Sequence, residues 1–423
     1  MKLVMTLEYI SYALVPKEVA ARLPSSMPSY RLAGLILVAL AAPAAAPAQA
    51  PRGFGTAWAG ARAAFDSTLR EHQTVGGTLW FVQAGRVLAH ENYGLADQAT
   101  QRPVTDSTIF HWASITKTLT AVAIMQLRDR GRLSLDDPIV KYVPELRQVH
   151  DSFGDIGDVT IRQLMSHSAG FRAGTWPWSG DKAWYPFEPT RWSQLVAMMP
   201  YTEVLFRPGS RYGYSNPGII YLGQVIERLT GDDYEVYVTK NILMPLGMTR
   251  SYFDVTPYHL LRDRSNGYEV ANGRVSAIGL DFDTGITTSN SGLNAPVADM
   301  VRYLAFLTGA PGQEAVHDGV LRRASLEEMW RPVLPTGSSE EGDSVTAGFF
   351  SLDTGGRRYI GKTGSQAGYR SFFYVQPATR TAAIGVVNTS GFGDEGPGPD
   401  ADMSFALRAI RDRLMQQVFP LFR

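Results

Sequence analysis

The sequence predicts an α+β fold: one antiparallel sheet, flanked by helices and built from both ends of the chain, with a mostly helical lobe inserted between them. Three observations predict it. A hairpin pattern comes early, a long middle segment shows helical spacing, and short β-branched and aromatic segments close the chain. At 423 residues the chain is long enough to bury a large core.

The elements follow in order. Residues 57–71 carry apolar side chains at helical spacing, namely Trp58, Ala61, Ala64, Phe65 and Leu69. Gly77–Gln83 and Arg86–Tyr93 flank Ala84-Gly85 and read as a hairpin. A long helical pattern starts near Ser114, runs through Leu119, Val122, Ile124, Met125 and Leu127, and stops around Gly131. Residues 133–300 read as mostly loops and helices. They hold a Trp/Pro/Gly-rich stretch at 171–192, a helix at 217–230 and another around 296–308. Pro296 begins the latter, where its missing N–H costs nothing. Strands return at Ala347–Leu352, Arg357–Gly361, Tyr369–Val375 and Thr381–Asn388, separated by Gly- and Pro-containing turns. A last helix places Met403, Leu407, Ile410, Leu414 and Val418 on one face. The α/β part thus covers about 51–132 and 309–423, and the helical lobe about 133–308.

The N-terminus carries an export pattern. Residues 32–46, LAGLILVALAAPAAA, follow Arg31 and lead to Ala48-Gln49-Ala50. A basic residue, a short apolar core and a small-residue end read as a signal peptide over 27–50, cut after Ala50. Met27 then reads as the start, and residues 1–26 as a mis-assigned upstream extension. The apolar run is short and alanine-rich for a membrane span, so the mature chain from 51 is expected periplasmic or secreted, without stable membrane insertion; the alternative is an uncleaved anchor with a short cytoplasmic tail.

Composition narrows the chemistry. With 40 basic and 40 acidic residues the net charge is zero, which argues against a nucleic-acid partner. There is no cysteine, so thiolate nucleophiles and disulfides are excluded. The seven histidines are scattered, with no HxxxH or HExxH pair, so no metal site is expected. Basic residues are thirty-three Arg against seven Lys. Guanidinium does not deprotonate at ordinary pH, so a retained lysine is a candidate for a position that needs an amine.

Two of those lysines fall in motifs. Ser114-Ile115-Thr116-Lys117 is an S-x-x-K at a helix start, and residues three apart share a helix face. A serine hydroxyl becomes a good nucleophile only when a base takes its proton, and a neutral lysine can do so. The motif alone is also what an N-cap serine before a surface lysine looks like. Ser179-Gly180-Asp181-Lys182 matches it too, without a helical pattern behind it. Tyr214-Ser215-Asn216 is the sole Y-x-N; Tyr214 can relay a proton and Asn216 can hold a carbonyl. Lys362-Thr363-Gly364 is the sole K-T-G and is followed by Ser365. Lys362 and Thr363 can bind a carboxylate, Gly364 lets substrate approach the strand, and a backbone N–H beyond it can face an oxyanion.

In the order S-x-x-K, Y-x-N, K-T-G, the set resembles the penicillin-recognising serine hydrolases, specifically the branch of class C β-lactamases, D-alanyl-peptidases and β-lactamase-type esterases. The likeness extends over most of residues 70–390. It includes Gly131-Arg132-Leu133-Ser134-Leu135-Asp136-Asp137 and Leu164-Met165-Ser166-His167-Ser168-Ala169-Gly170. It implies a β-lactamase/transpeptidase-like fold. It also implies Ser114 as nucleophile, Lys117 and Tyr214 jointly as proton acceptors and donors, and Lys362 beside Tyr214 or a substrate carboxylate. Asn216, Thr363, Gly364 and Ser365 would bind substrate, with the N–H groups of Ser114 and Ser365 as oxyanion hole and His167 holding a loop. No cofactor is implied, because serine, lysine and tyrosine carry every proton transfer. The partner implied is a small acyl substrate: a lactam, a D-alanyl peptide or an ester. Export and the K-T-G lysine favour lactam or peptide. An aromatic rim of Trp176, Trp178, Trp184 and Tyr185 would suit an ester. A non-turnover penicillin sensor or scaffold is the third reading.

Overall fold

The computed structural model describes residues 50–175, 189–271, 273–279, 284–338, 342–391 and 403–423. From the N-terminal side come α1 (Phe54–Glu71), β1 (Gly76–Gln83), β2 (Arg86–Asp97), β3 (Arg102–Pro103), β4 (Ile109–His111) and α2 (Thr116–Asp129). The middle holds α3 (Ile161–Met165), α4 (Trp192–Met198), α5 (Asn216–Thr230), α6 (Tyr234–Val238), β5 (Tyr252–Phe253), β6 (Gly267–Ala271), β7 (Arg274–Gly279), α7 (Thr288–Ser291), β8 (Leu293–Pro296) and α8 (Val297–Thr308). The chain closes with α9 (Glu314–Val320), α10 (Arg323–Met329), β9 (Leu334–Ser338), β10 (Gly342–Val345), β11 (Phe350–Thr354), β12 (Arg357–Gln366), β13 (Tyr369–Gln376), β14 (Thr381–Val387), β15 (Thr389–Gly391) and α11 (Met403–Gln417).

Both chain ends share one nine-stranded sheet in the order β3-β2-β1-β14-β13-β12-β11-β10-β9, with β1 antiparallel to β14 from Gly77↔Val387 to Gln83↔Thr381. Strand alternation sends its two faces into different cores. Leu79, Phe81, Phe372 and Tyr374 pack with α1 and α11, while Trp80, Val82, Phe373 and Ile384 pack with α2, α8 and the inserted segment. The expected α+β architecture is what the structure has.

Several details differ from the sequence reading. The segment 133–300 contains strands as well as helices: β8 pairs with β4 and β5, and β6 pairs with β7 and, in parallel, with β15. β4, β5, β8 and β15, at two to four residues each, are too short for alternation to stand out. The strand expected from Ala347 begins at Phe350. Gly348 turns the chain at φ 86° and its N–H bonds back to Thr346 O. Pro296 ends β8 and caps α8, whose first residue is Val297. Among the described residues no helix is long and apolar enough to cross a membrane; residues 1–49 and the stretch 176–188 lie outside them.

Candidate active site

The turn that carries Ser114 is built where α2 meets the sheet. Ala113 takes φ 49°, and Ala113–Ile115 makes one 3-10 turn before α2 begins at Thr116. Ser114 therefore sits one turn ahead of the α-helix proper. The turn is pinned from two sides. Trp112 N–H donates to Leu293 O at 2.8 Å, its indole N–H donates to Ala295 O at 2.9 Å, and Thr116 Oγ1 both donates to Ala113 O and accepts from Leu293 N–H. On the other side Ser371 Oγ donates to Trp112 O at 3.3 Å. A positive φ at a non-glycine residue is strained, and it persists here because these bonds over-determine it.

Every residue of α2 from Thr116 to Leu127 is buried, as expected of a helix enclosed by the sheet and the inserted segment. Lys117 is fully buried, and its ammonium donates to Ser114 Oγ at 2.9 Å and to Asn290 O at 2.9 Å. Tyr214 Oη donates to the same Ser114 Oγ at 2.8 Å. Lys117 Nζ and Lys362 Nζ lie 5.0 and 4.9 Å from the Tyr214 ring centroid. Lys362, 1% exposed on β12, also sits 3.8 Å from the Phe350 ring. Ser114, Lys117, Tyr214 and Lys362 thus share one site. An oxygen nucleophile with two hydrogen-bond partners able to exchange its proton is the arrangement needed for acyl transfer.

The substrate-side residues divide between two faces of β12. Lys362 pairs with Phe373, which belongs to the α2 core, whereas Thr363 pairs with Phe372, which belongs to the α11 core. Thr363, Gly364 and Ser365 consequently line a small cavity together with Arg370, Phe372, Leu407, Arg408 and Arg411. A Cβ on Gly364 would lie 2.4 Å from Trp112 O, so only glycine lets β12 approach the nucleophile turn this closely. Ser365 is exposed at the free end of that approach. Asn216 opens α5, half-buried, and its backbone N–H donates to Ala173 O at 3.1 Å; Ser215, not Asn216, caps the helix.

His167 does more than hold a loop. Burial and the two lysine charges keep it well below the usual histidine pKa, so the ring is neutral. Its Nδ1 accepts from Ser215 N–H at 3.2 Å, which leaves the proton on Nε2, and that atom is buried without a hydrogen-bond partner among the described residues. Sequence reasoning missed two residues that touch this site. Asn290 and Phe350 do so through a backbone carbonyl and a ring face, which leave no motif. Of the cavity arginines, Arg411 leaves a signal, because it falls between Leu407 and Leu414 on the apolar stripe of α11. The second S-x-x-K, Ser179–Lys182, and the aromatic residues Trp176, Trp178, Trp184 and Tyr185 lie outside the described residues.

A family profile described as Beta-lactamase matches residues 61–406. Among characterised proteins the chain is similar to esterase EstB of Burkholderia gladioli, 33% identical over 199 residues, which are 44% of this chain and 49% of that protein. It is similar to a beta-lactamase of Pseudomonas fluorescens, 29% identical over 239 residues, 55% of this chain and 62% of that one. The chain therefore spans about half to three-fifths of the length of these relatives. Among solved structures, the octameric penicillin-binding protein homologue from Pyrococcus abyssi superposes with a TM-score of 0.69 at 25% identity, covering 86% of this chain and 79% of the other. The D-amino acid amidase from Ochrobactrum anthropi SV3 shares the fold at a TM-score of 0.68 and 20% identity, with 86% and 98% covered.

Proposed function

The chain belongs to the beta-lactamase family of serine hydrolases, and from that premise we propose that it hydrolyses a small acyl substrate through an ester on Ser114. The observation that carries the proposal is the double contact of Ser114 Oγ with Lys117 Nζ at 2.9 Å and Tyr214 Oη at 2.8 Å. In acylation Ser114 Oγ bonds the substrate carbonyl carbon while its proton passes to whichever of the two partners is deprotonated. The tetrahedral carbon collapses, the bond to the leaving nitrogen or oxygen breaks, and that atom takes the proton from Tyr214 or Lys117. Water then attacks the ester carbon and gives a proton to the same pair; the bond to Ser114 Oγ breaks, the pair passes that proton to Oγ, and the acid leaves the regenerated serine. The N–H groups of Ser114 and Ser365 are the proposed oxyanion donors, and Asn216 the proposed holder of a substrate amide.

We take the substrate to be a carboxylate-bearing lactam or D-alanyl peptide. What supports this is Lys362, whose ammonium lies beside Tyr214 on the same side of β12 as Ser114; a cation there suits a substrate carboxylate. A second reading, a short-chain carboxylesterase, is favoured by the 33% identity to an esterase. Parallel assays with nitrocefin and p-nitrophenyl butyrate, with mass spectrometry of the protein, test both. Turnover together with an adduct on Ser114 supports the hydrolase. A stable adduct without product would make the protein an acyl sensor, and turnover by a Ser114→Ala variant would overturn the proposal. Export is proposed from residues 27–50 and predicts a periplasmic or secreted form beginning near Pro51; an intact N-terminus on membrane-bound protein would overturn it.

A further inference from the structure

His167 grips the chain on both sides of Tyr214. Its backbone carbonyl accepts the Gly213 N–H at 2.8 Å, and its Nδ1 accepts the Ser215 N–H at 3.2 Å. Between these two bonds its ring stacks on the Tyr214 ring, with centroids 4.5 Å apart and planes at 29°. Tyr212 meets the same imidazole edge-on at 6.2 Å. One residue thus touches every member of the segment from 212 to 215.

The grip is set up by the backbone of His167 itself. The residue lies just past Ser166, the C-cap of α3, with its N–H donating to Leu164 O at 3.2 Å, and then turns at φ 51°. That left-handed turn is available to few side chains, histidine and asparagine among them. It presents carbonyl and ring together to one passing strand of chain. The ring is 2% exposed, so neither grip competes with water.

We propose that His167 is a positioning residue for catalysis: its two backbone bonds and its ring contact fix the Tyr214 hydroxyl on Ser114. The inference rests on the reading of Tyr214 as the proton partner of Ser114. The phenol oxygen lies at the far end of a side chain whose backbone is otherwise a turn before α5, so a small rotation of that turn displaces it. A shift of about 1 Å at a reacting group costs on the order of a hundredfold in rate. The imidazole is held neutral, which leaves Lys117 and Lys362 as the cations next to the phenol ring.

Three variants of the full chain test this. His167→Ala removes Nδ1 and the ring, His167→Asn keeps an acceptor and tolerates the turn, and His167→Phe keeps the ring without the acceptor. His167→Ala should lower kcat by about tenfold to a hundredfold with KM nearly unchanged. Asn and Phe should each recover part of that loss. In a Tyr214→Phe background the further change to Ala should have little effect on the residual rate, because the hydroxyl being positioned is gone. A purely structural role would lower the rate in both backgrounds alike. Wild-type kcat in His167→Ala, equal losses in all three variants, or full additivity with Tyr214→Phe overturns the inference. If Ser114→Ala retains turnover, the functional reading itself falls. If Ser114→Ala is inert while His167→Ala matches wild type, only the positioning role falls.

Discussion

Ser114 Oγ and Tyr214 Oη are 2.8 Å apart although 100 positions separate the residues in the chain. Such a contact is held from both ends. On the serine side, bonds from Trp112 and Thr116 to β8 fix the 3-10 turn. On the tyrosine side, Ser215 caps α5 and His167 binds the residues flanking the phenol. Lys117 closes the triangle from within α2, anchored on Asn290 O.

Removing the hydroxyl from either end should separate chemistry from folding. Ser114→Ala should abolish turnover, and Tyr214→Phe should lower kcat by roughly 10²–10⁴-fold, the usual range for a positioned acid–base group. Neither side chain fills a core, so thermal midpoints should stay within a few degrees of wild type. Ser179→Ala, in the other S-x-x-K, should leave kcat unchanged; a dead Ser179 variant beside a live Ser114 variant would reverse the assignment.

Lys362 and the arginine cavity should respond differently to substrate charge. Lys362 Nζ lies beside Tyr214 and Phe350, on the opposite face of β12 from Thr363. Lys362→Met should therefore lower kcat/KM for nitrocefin, which bears a carboxylate, further than for a neutral ester. Losing one charge-assisted hydrogen bond, worth about 1.5–3 kcal/mol, costs roughly tenfold to a hundredfold for the lactam. Arg408→Ala, in the cavity on the other face of β12, should change both rates little. Equal losses for lactam and ester in Lys362→Met would remove the carboxylate role and leave Lys362 as a partner of Tyr214 alone.

Much of this was legible from residue types alone. The order of S-x-x-K, Y-x-N and K-T-G named four side chains that the fold gathers, and the apolar spacing of α1, α2 and α11 located three helices. What stayed hidden has a physical reason in each case. Asn290 contributes a carbonyl, which any residue type supplies. Strand alternation puts Lys362 on the Ser114 side of β12 and Thr363 on the other, which the motif read as a string does not tell. β4 and β8 are three and four residues long and gain their pairing only from tertiary contacts. The two grips of His167 depend on a positive φ, which no side-chain pattern records.

Stability should decline on the acid side earlier than carboxylate titration explains. His111 is fully buried and its pKa is lowered to about 3, by burial first and by Arg264 second; His167 is likewise held well below 6.5. Both are neutral in the folded protein, whereas the unfolded chain protonates them as pH falls below about 6.5. The stabilisation is thus complete above 6.5 and is lost progressively below it. Each histidine contributes a slope of up to about 1.4 kcal/mol per pH unit. The hydrogen-bonded carboxylates Asp137 and Glu145, both at about 2 in the fold, begin to contribute only below their ordinary values of 3.8 and 4.5. Urea unfolding at pH 7.5 and 5.5 should show the fall, and His111→Gln should remove about half of its slope. A flat stability between those two pH values would mean that the histidines are not held neutral.

Gly364→Ala should cost both activity and stability. The added Cβ would lie 2.4 Å from Trp112 O and 2.4 Å from Ser371 Oγ, each far inside contact distance. The serine hydroxyl can rotate away, but Trp112 O is backbone and immediately precedes the nucleophile turn. Relief must therefore come from β12 moving off that turn or from the turn moving off β12. The first separates Thr363 and Ser365 from Ser114, and the second breaks the bonds that hold Ala113 at its positive φ. Overpacking of this kind destabilises by about 1–3 kcal/mol, and a displacement of order 1 Å at the nucleophile lowers kcat by on the order of a hundredfold. The control is Gly355→Ala, on the same sheet, where no atom lies within 4 Å of the added Cβ. It sits at φ 58°, so it carries the backbone strain of a left-handed residue without the clash. It should lose some thermal stability and keep its kcat. Wild-type kcat in Gly364→Ala would show that the approach of β12 to Trp112 does not set the position of Ser114.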